Sequence, residues 1–249
     1  MITIKTAEEI EILKQGGAIL AKVLKQVSKA VKPGISTLEL DQLTERLIRE
    51  NGGKPSFKGY RGYPATLCTS INEQVVHGIP RADRILKQGD IIGLDAGTEY
   101  KGLFTDMSIT VGVSKISRQA KKLIKATRKA LDIGIKQIAP GKCIGDIGFA
   151  IQKFVESHGF SVVRQLAGHG VGKAVHEDPL VPNYGKQGEG EILKPGMVLA
   201  LEPMITTGDW RVITLEDGWT VETADGSLSA HFEQTVVVTE NGAEILTPL

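Results

Sequence analysis

The sequence predicts a single α+β domain made of two similar halves, and an internal repeat is the main evidence. In each half, two helix patterns are followed by a sheet-forming segment. Pro33-Gly34 recurs as Pro140-Gly141, an offset of 107 residues that is too long for a solenoid repeat. Two such halves would pack about a pseudo-twofold axis. We predict one domain over residues 1–249, with half-repeats at about 1–113 and 114–249.

Two helices are predicted in the first half. Thr6 and Glu9 form a capping box ahead of apolar residues at helical spacing, and a Pro-Gly pair ends this helix. Ser36 and Glu39 form a second capping box, and Asn51-Gly52-Gly53 ends the helix that follows.

The second half repeats this pattern. Ser117 can cap a helix that runs through Ile135 and ends at Ala139-Pro140-Gly141. Another helix is predicted from about Ile144 to His158-Gly159.

A β-hairpin with two aspartates is predicted within the stretch GDIIGLDAGTEYKGLFTDMS. An apolar run ends in Asp95, and Phe104-Thr105 leads into Asp106. With a turn near Tyr100-Lys101, paired residues have numbers that sum to 201, so Asp95 would lie directly opposite Asp106. Like charges in that position destabilise a sheet, and a shared cation would compensate. The alternative is a chance pair of strand-end aspartates at the surface.

A second, longer hairpin is predicted to pair two glutamates. The run from Gly196 to Glu202 repeats the form of Gly89 to Asp95 at the same offset of 107 residues. A turn at Asp217-Gly218 would pair Glu202 with Glu233. A rival turn at Asp225-Gly226 would instead make the intervening segment a meander or a side hairpin.

Five groups are therefore candidates for one site: Asp95, Asp106, His169, Glu202 and Glu233. Four carboxylates and an imidazole suit a pair of divalent cations, because carboxylates neutralise the cations and can bridge them. Taken singly, Glu202 could be a surface charge and His169 a hydrogen-bonded core histidine. The GxSxG, HExxH and GxxxxGK[ST] motifs are all absent from the sequence.

The composition excludes several classes of protein. The 30 Lys and Arg residues against 29 Asp and Glu give a net charge of +1, so no specific nucleic-acid binding is expected. Cys68 and Cys143 form no CxxC pattern, which argues against a disulfide framework and a zinc–thiolate site. No signal peptide is evident, and no stretch approaches the roughly 18 apolar residues of a membrane span. We expect a cytoplasmic protein that does not bind membranes.

A family resemblance rests on the motifs LDAG with FTDMS, GHGVG, LEPM and HFEQT, with NEQVVHGIP upstream. Over essentially the whole chain these resemble the type I methionine aminopeptidases, in the short bacterial form without an N-terminal zinc-finger extension. The resemblance implies a single catalytic domain with the duplicated pita-bread fold, in which helices lie outside a central curved antiparallel sheet. It also implies a metalloexopeptidase that removes the initiator methionine from nascent polypeptides when the second residue is small.

The resemblance also implies roles for individual residues. Asp95, Asp106, His169, Glu202 and Glu233 would bind two divalent ions of Co, Mn, Fe, Ni or Zn, with Asp106 and Glu233 bridging. Glu202 would carry the proton of the attacking water. Among the substrate-binding residues, His176 would donate to the oxyanion and His77 would bond the scissile amide nitrogen.

The methionine pocket implied by the resemblance draws on Tyr60, Tyr63, Cys68, His77 and Trp219. Ordinary core packing is the alternative role for its aromatic residues. The chain departs from the family at two positions: Phe57 and Val175 stand where other members carry cysteine and phenylalanine. These departures bear on pocket size and hence on specificity.

Two rival functions remain at this stage. One is an X-prolyl peptidase of the same fold, a group that carries an additional N-terminal domain. The other is a pita-bread protein that has lost catalysis and only binds partners, for which loss of a metal ligand would be the signature. The expected partners of a catalytic form are nascent polypeptide N-termini at the ribosome, and we expect a monomer.

Overall fold

The structure is a computed structural model that describes residues 2–248. Four helices accompany a curved, entirely antiparallel sheet. The helices are α1 (Ala7–Ala30), α2 (Thr37–Glu50), α3 (Arg118–Ile135) and α4 (Ile144–Ser157). The strands are β1 (Lys54–Pro55), β2 (Leu67–Ile71), β3 (Gln74–Val76), β4 (Ile91–Tyr100), β5 (Leu103–Gly112), β6 (Ser161–Val162), β7 (Ala167–Gly170), β8 (Glu177–Pro182), β9 (Val198–Leu201), β10 (Met204–Thr206), β11 (Val212–Thr214), β12 (Val221–Thr223), β13 (Ser229–His231), β14 (Glu233–Thr239) and β15 (Gly242–Ile245).

The largest sheet has nine strands and forms the centre of the molecule. Its order is β1-β4-β5-β14-β9-β7-β8, with β2 also paired to β4 and β15 also paired to β14. Two three-stranded sheets, β13-β10-β6 and β11-β12-β3, complete the fold. The main apolar core joins α1 to α4 with this central sheet. Among residues 2–248, no helix combines the length and apolar character that a membrane crossing needs.

The predicted helix boundaries are confirmed to within a residue or two at their starts. In α1 the Thr6 hydroxyl accepts from the Glu9 amide at 3.2 Å, while the Glu9 carboxylate accepts from the Thr6 amide at 2.9 Å. The same reciprocal bonds join Ser36 and Glu39 at the start of α2. These bonds satisfy amides that the first helical turn leaves free.

The register predicted for the first hairpin is wrong by one residue on each strand. Asp95 pairs with Ser108, and Asp106 pairs with Gly97. The residue numbers of each pair therefore sum to 203, whereas the prediction was 201. The turn is formed by Lys101 and Gly102, which both have left-handed backbones at φ 50° and 83°. A two-residue turn of this kind needs positive φ at both positions, and glycine provides it without strain. The shift keeps both aspartates on one face, diagonally related instead of directly opposite.

The register predicted for the second hairpin is confirmed. Gln234 pairs with Leu201, which makes Glu233 and Glu202 the next positions along the same ladder. The same register continues through β10 with β13 and β11 with β12. Asp217-Gly218 lies in a four-residue loop at the apex, closed by the bond from the Leu215 amide to the Thr220 carbonyl. The rival turn at Asp225-Gly226 also forms, but it lies in a short loop that connects β12 to β13.

The 107-residue repeat recurs in backbone contacts. The Gly34 amide donates to the Leu86 carbonyl at 2.9 Å, and the Gly141 amide donates to the Leu193 carbonyl at 3.1 Å. Both glycines have left-handed backbones, at φ 91° and 83°. These matched contacts support the proposal that one domain is built from two related halves.

Candidate metal centre and substrate pocket

The five candidate metal ligands come from neighbouring strands of the central sheet. Asp95 lies in β4, Asp106 in β5, His169 in β7 and Glu233 at the start of β14, while Glu202 directly follows β9. Their strands are adjacent in the order β4-β5-β14-β9-β7. The sheet therefore gathers residues that are up to 138 positions apart in the chain.

Strand register aligns these side chains in two rows. Asp95, Ser108 and Glu233 are paired in succession across β4, β5 and β14. In the next row, His169 pairs with Ala200. Ser108 and Ala200, the residues paired with these candidate ligands, are both small.

The geometry brings donor atoms into the range of shared cations. One side-chain donor atom from each of Asp106, His169 and Glu233 lies within 4.8 Å of the others. His169 Nε2 lies 3.6 Å from Glu202 Oε1. Asp95 lines the same cavity, and its Oδ1 is buried without a hydrogen-bond partner in the described chain. A buried carboxylate oxygen of this kind needs a cation or a proton.

Burial and mutual repulsion disfavour the charged carboxylates. Burial raises the pKa of Asp95 to about 7. Burial, and then the neighbouring carboxylates, raise the pKa values of Asp106, Glu202 and Glu233 well above their usual range. Divalent cations would reverse this preference, because they compensate the negative charges directly.

The chemistry of the donor set fits divalent metal ions. His169 Nδ1 lies 2.8 Å from the Gly170 carbonyl oxygen, so Nδ1 carries the proton and Nε2 offers a lone pair to the cluster. Burial lowers the pKa of His169, which keeps the ring neutral. Carboxylate oxygens with an imidazole nitrogen and no thiolate suit Mn, Fe, Co, Ni or Zn.

Outer hydrogen bonds hold two of the carboxylate-bearing residues. The Asp106 amide donates to Thr235 Oγ1 at 2.9 Å, and Thr235 Oγ1 donates to the Asp106 carbonyl at 2.8 Å. Asn183 Nδ2 donates to the Glu202 carbonyl at 3.0 Å. These bonds fix the backbone from which the ligands project.

A cavity of about 180 Å³ lies directly beside the five carboxylate and imidazole groups. Tyr63 and Trp219 meet edge to face with ring centroids 5.1 Å apart. An outer groove shares His77 and His176 with the cavity and leads to solvent. All the residues predicted to bind metal or substrate line this cavity, and Phe57 and Arg61 line it as well. The full lining is Phe57, Tyr60, Arg61, Tyr63, Cys68, His77, Asp95, Asp106, His169, His176, Glu202, Trp219 and Glu233.

The two positions expected to depart from the family, Phe57 and Val175, both belong to an apolar cluster beside the cavity. Phe57 and Val175 pack in one cluster with Tyr63 and Cys68. Burial raises the pKa of the Cys68 thiol, which therefore stays protonated and acts as a small apolar group.

The two histidines predicted to bind substrate, His77 and His176, line both the cavity and the outer groove. His176 Nδ1 lies 3.0 Å from the Tyr60 hydroxyl, and its ring centroid is 4.2 Å from that of His169. Burial, and then the neighbouring His169, lower the pKa of His176 to about 3. Burial also lowers the pKa of His77. Both rings are therefore neutral at physiological pH.

Sequence reasoning missed His231 as a member of the site. Its side chain is 3% exposed, and Nε2 lies 3.6 Å from Glu202 Oε2 and 3.9 Å from Glu233 Oε2. Thr110 Oγ1 donates to the His231 carbonyl and accepts from its amide, at 2.8 and 3.0 Å. The HFEQT motif offered a signal, since His231 precedes Glu233 by two residues in the same extended segment.

Comparisons with known proteins agree with the fold. The curved sheet with its flanking helices is the pita-bread fold of metallopeptidases, as predicted. The chain belongs to metallopeptidase family M24, whose family model matches residues 11–240, and within it to the methionine aminopeptidases.

Three similar proteins illustrate this placement. The chain is 49% identical to a methionine aminopeptidase of Clostridium acetobutylicum over 247 residues, which cover 99% of each chain. It superimposes on a Thermotoga maritima methionine aminopeptidase with a TM-score of 0.98 and 47% identity, covering 100% of both chains. A Pyrococcus furiosus prolidase matches at a TM-score of 0.79 and 25% identity, covering 99% of this chain but 65% of that one. The family resemblance is confirmed.

Proposed function

We propose that this protein is a metal-dependent aminopeptidase that removes the N-terminal methionine from polypeptides. The observation that carries the proposal is an apolar, aromatic-walled cavity that opens directly onto the buried carboxylate cluster. An unbranched thioether side chain fits such a cavity. The full-length identity to methionine aminopeptidases supports the same substrate.

We assign the metal ligands as the sequence predicted them. Asp95, Asp106, His169, Glu202 and Glu233 would hold two divalent ions. When bound, such ions lower the pKa of a water and polarise the scissile carbonyl.

The chain's own residues supply the proton transfers and the orientation of the substrate. Glu202 takes a proton from the attacking water and passes it to the leaving amine. With the Tyr60 hydroxyl donating to Nδ1 of His176, Nε2 carries the proton and donates to the developing oxyanion. His77 bonds the scissile amide nitrogen. Tyr60, Tyr63, Cys68 and Trp219 enclose the methionine side chain.

We further propose where the reaction takes place. Cys68 and Cys143 are both free thiols, which supports a reducing, cytoplasmic location. The substrates would be nascent polypeptide N-termini, met at the ribosome by a monomeric enzyme.

The test of the proposed function compares two peptides with one enzyme. Metal-free protein is titrated with Mn²⁺, Fe²⁺ or Co²⁺, and product release is followed from Met-Ala-Ser and from an Ala-Pro dipeptide. We expect methionine release and no cleavage of Ala-Pro. Cleavage of Ala-Pro alone would instead identify an X-prolyl peptidase of the same fold.

His176→Ala is expected to slow turnover without affecting metal binding. Loss of one oxyanion donor typically lowers kcat by about 100-fold or more. Exposed His158, at the C-terminal end of α4, provides the control, and His158→Ala should leave kcat unchanged. Metal content and kcat are measured together. If His176→Ala loses its metal, His176 is a ligand and our assignment is wrong.

The small-residue specificity predicts how the chain's own N-terminus is processed. The second residue is Ile2, which is β-branched and cannot rotate away from a clash with the wall beside the scissile bond. Such a clash costs on the order of a few kcal/mol, or roughly two powers of ten in rate. Intact-mass measurement in the host should find Met1 retained, whereas Ile2→Ala should lose it. Efficient removal of Met1 from the unaltered chain would show that this specificity does not apply.

A further inference from the structure

Glu177 organises the loop that carries His176. This loop, residues 171–176, connects β7 to β8 and is called the His176 loop below. Glu177 Oε1 accepts from the amides of Lys173 and Ala174, the latter at 3.0 Å. One carboxylate oxygen therefore closes the loop onto its own C-terminal end.

The other oxygen of Glu177 ties the loop to the start of the chain. Lys5 Nζ donates to Glu177 Oε2 at 2.6 Å, and the Thr3 hydroxyl donates to the same oxygen. The Lys5 and Glu177 side chains are 1% and 7% exposed. An ion pair this well buried is weakly screened, and it strongly disfavours the loss of either partner.

Two glycines make room for Lys5 and fix its path. Gly172 has a backbone φ of 139°, which favours glycine, and a Cβ there would lie 2.5 Å from Lys5 Cε, where the lysine stem crosses the His176 loop. The Lys5 amide donates to the Gly196 carbonyl at 2.8 Å. Lys5 is therefore held by its backbone as well as by its ammonium group.

The His176 loop brings two residues to the reaction cavity. His176 lines the cavity and contacts the Tyr60 hydroxyl at 3.0 Å. Val175, one position earlier, packs against the apolar wall formed with Phe57 and Tyr63. A shift of the loop would move the proposed oxyanion donor and the pocket wall together.

We propose that Lys5 is a positioning residue for the reaction, acting through Glu177 to hold the His176 loop at the cavity. The inference rests on the proposed function, because it takes His176 as the oxyanion donor. The proposal gives Lys5, which precedes α1, a role in supporting the active site. A misplacement of about 1 Å in a catalytic group can lower turnover by about 100-fold.

Lys5→Met tests the proposal, since methionine fills a similar volume without the charge. We expect kcat to fall by about 100-fold while metal content stays unchanged. Amide hydrogen exchange in residues 172–176 should quicken at the same time. Lys173→Met is the matched control, because it breaks an exposed pair between the same loop and Glu9 (Nζ to Oε1, 2.9 Å) and should change neither readout.

A double variant separates positioning from general stability. Lys5→Met with Glu177→Gln removes both buried charges, while the glutamine oxygen can still accept from the loop amides. We expect the turnover of this double variant to lie within roughly fivefold of that of the unaltered protein, because the effects of substituting two interacting residues are not additive. If Lys5→Met alone does not fold, Glu177→Gln, which leaves Lys5 unpaired, carries the same expectation for kcat and exchange.

Two results would overturn the proposal. One is a Lys5→Met protein with lowered thermal stability but unchanged kcat and loop exchange. The other is a double variant as impaired as the single one. If the unaltered protein released no methionine, the proposed function would fail by itself, and the exchange rates would still decide whether Lys5 holds the loop.

Discussion

Glu202→Gln is expected to remove most of the turnover while leaving peptide affinity nearly unchanged. Glutamine keeps the shape of the side chain and one ligating oxygen, but it cannot take the proton of the attacking water. A positioned general base usually contributes about 100-fold to 10,000-fold, so kcat should fall within that range. Because we propose that the peptide binds mainly through the methionine cavity, KM should change little.

The measurement is a full kinetic analysis of methionine release at saturating metal. Glu244→Gln is the control, because Glu244 lies on β15 with a side chain that is 47% exposed and forms a surface ion pair with Lys14. That variant should behave as the unaltered protein. A large rise in KM for Glu202→Gln with kcat untouched would contradict the role we assign to Glu202.

Exhaustive chelation is expected to abolish activity and to lower thermal stability together. Metal ions that bind only the folded state stabilise it, so removing the ions lowers the melting temperature of the protein. The effect should be largest where the carboxylates are ionised, because unneutralised charges then repel one another inside the cluster.

The raised carboxyl pKa values give this stability change a direction with pH. Burial raises the pKa of Asp95 from its usual 3.8 to about 7 in the folded, metal-free chain. The unfolded chain therefore releases this proton first, and the metal-free fold loses stability as pH rises from about 4 to above 7. Added Mn²⁺ should raise the melting temperature more at pH 8 than at pH 5. Equal melting temperatures at pH 8 with and without metal, or full activity after chelation, would refute the metal-centre account.

Local signals in the sequence were sufficient for the helices and for bringing the five candidate ligands to one cavity. The capping boxes at Thr6 and Ser36 fix helix starts through bonds within four residues, so they can be identified without tertiary information. The carboxylate at the end of each repeated apolar strand pointed to a common centre. Alternation along strands also placed Asp95 and Asp106 on one face, even though the predicted register was wrong.

What the sequence did not yield depends on turn geometry and on contacts between distant residues. The first hairpin turned at Lys101-Gly102 because Gly102 accommodates positive φ, and a one-residue change in turn position alters every pairing. The Lys5–Glu177 pair joins residues 172 positions apart, and no local sequence pattern predicts such a contact. For His231, the two-residue spacing to Glu233 placed both side chains on one strand face, but that alternation does not distinguish a site histidine from a structural one.

Anomalous diffraction from crystals grown with Mn²⁺ tests the central claim most directly, because it locates the ions without assuming any activity. The account predicts two peaks inside the cavity, both in contact with the Asp106 and Glu233 carboxylates. One peak should also contact Asp95, and the other His169 and Glu202. A single peak, or peaks only outside this cluster, would contradict a dinuclear centre built from these five residues.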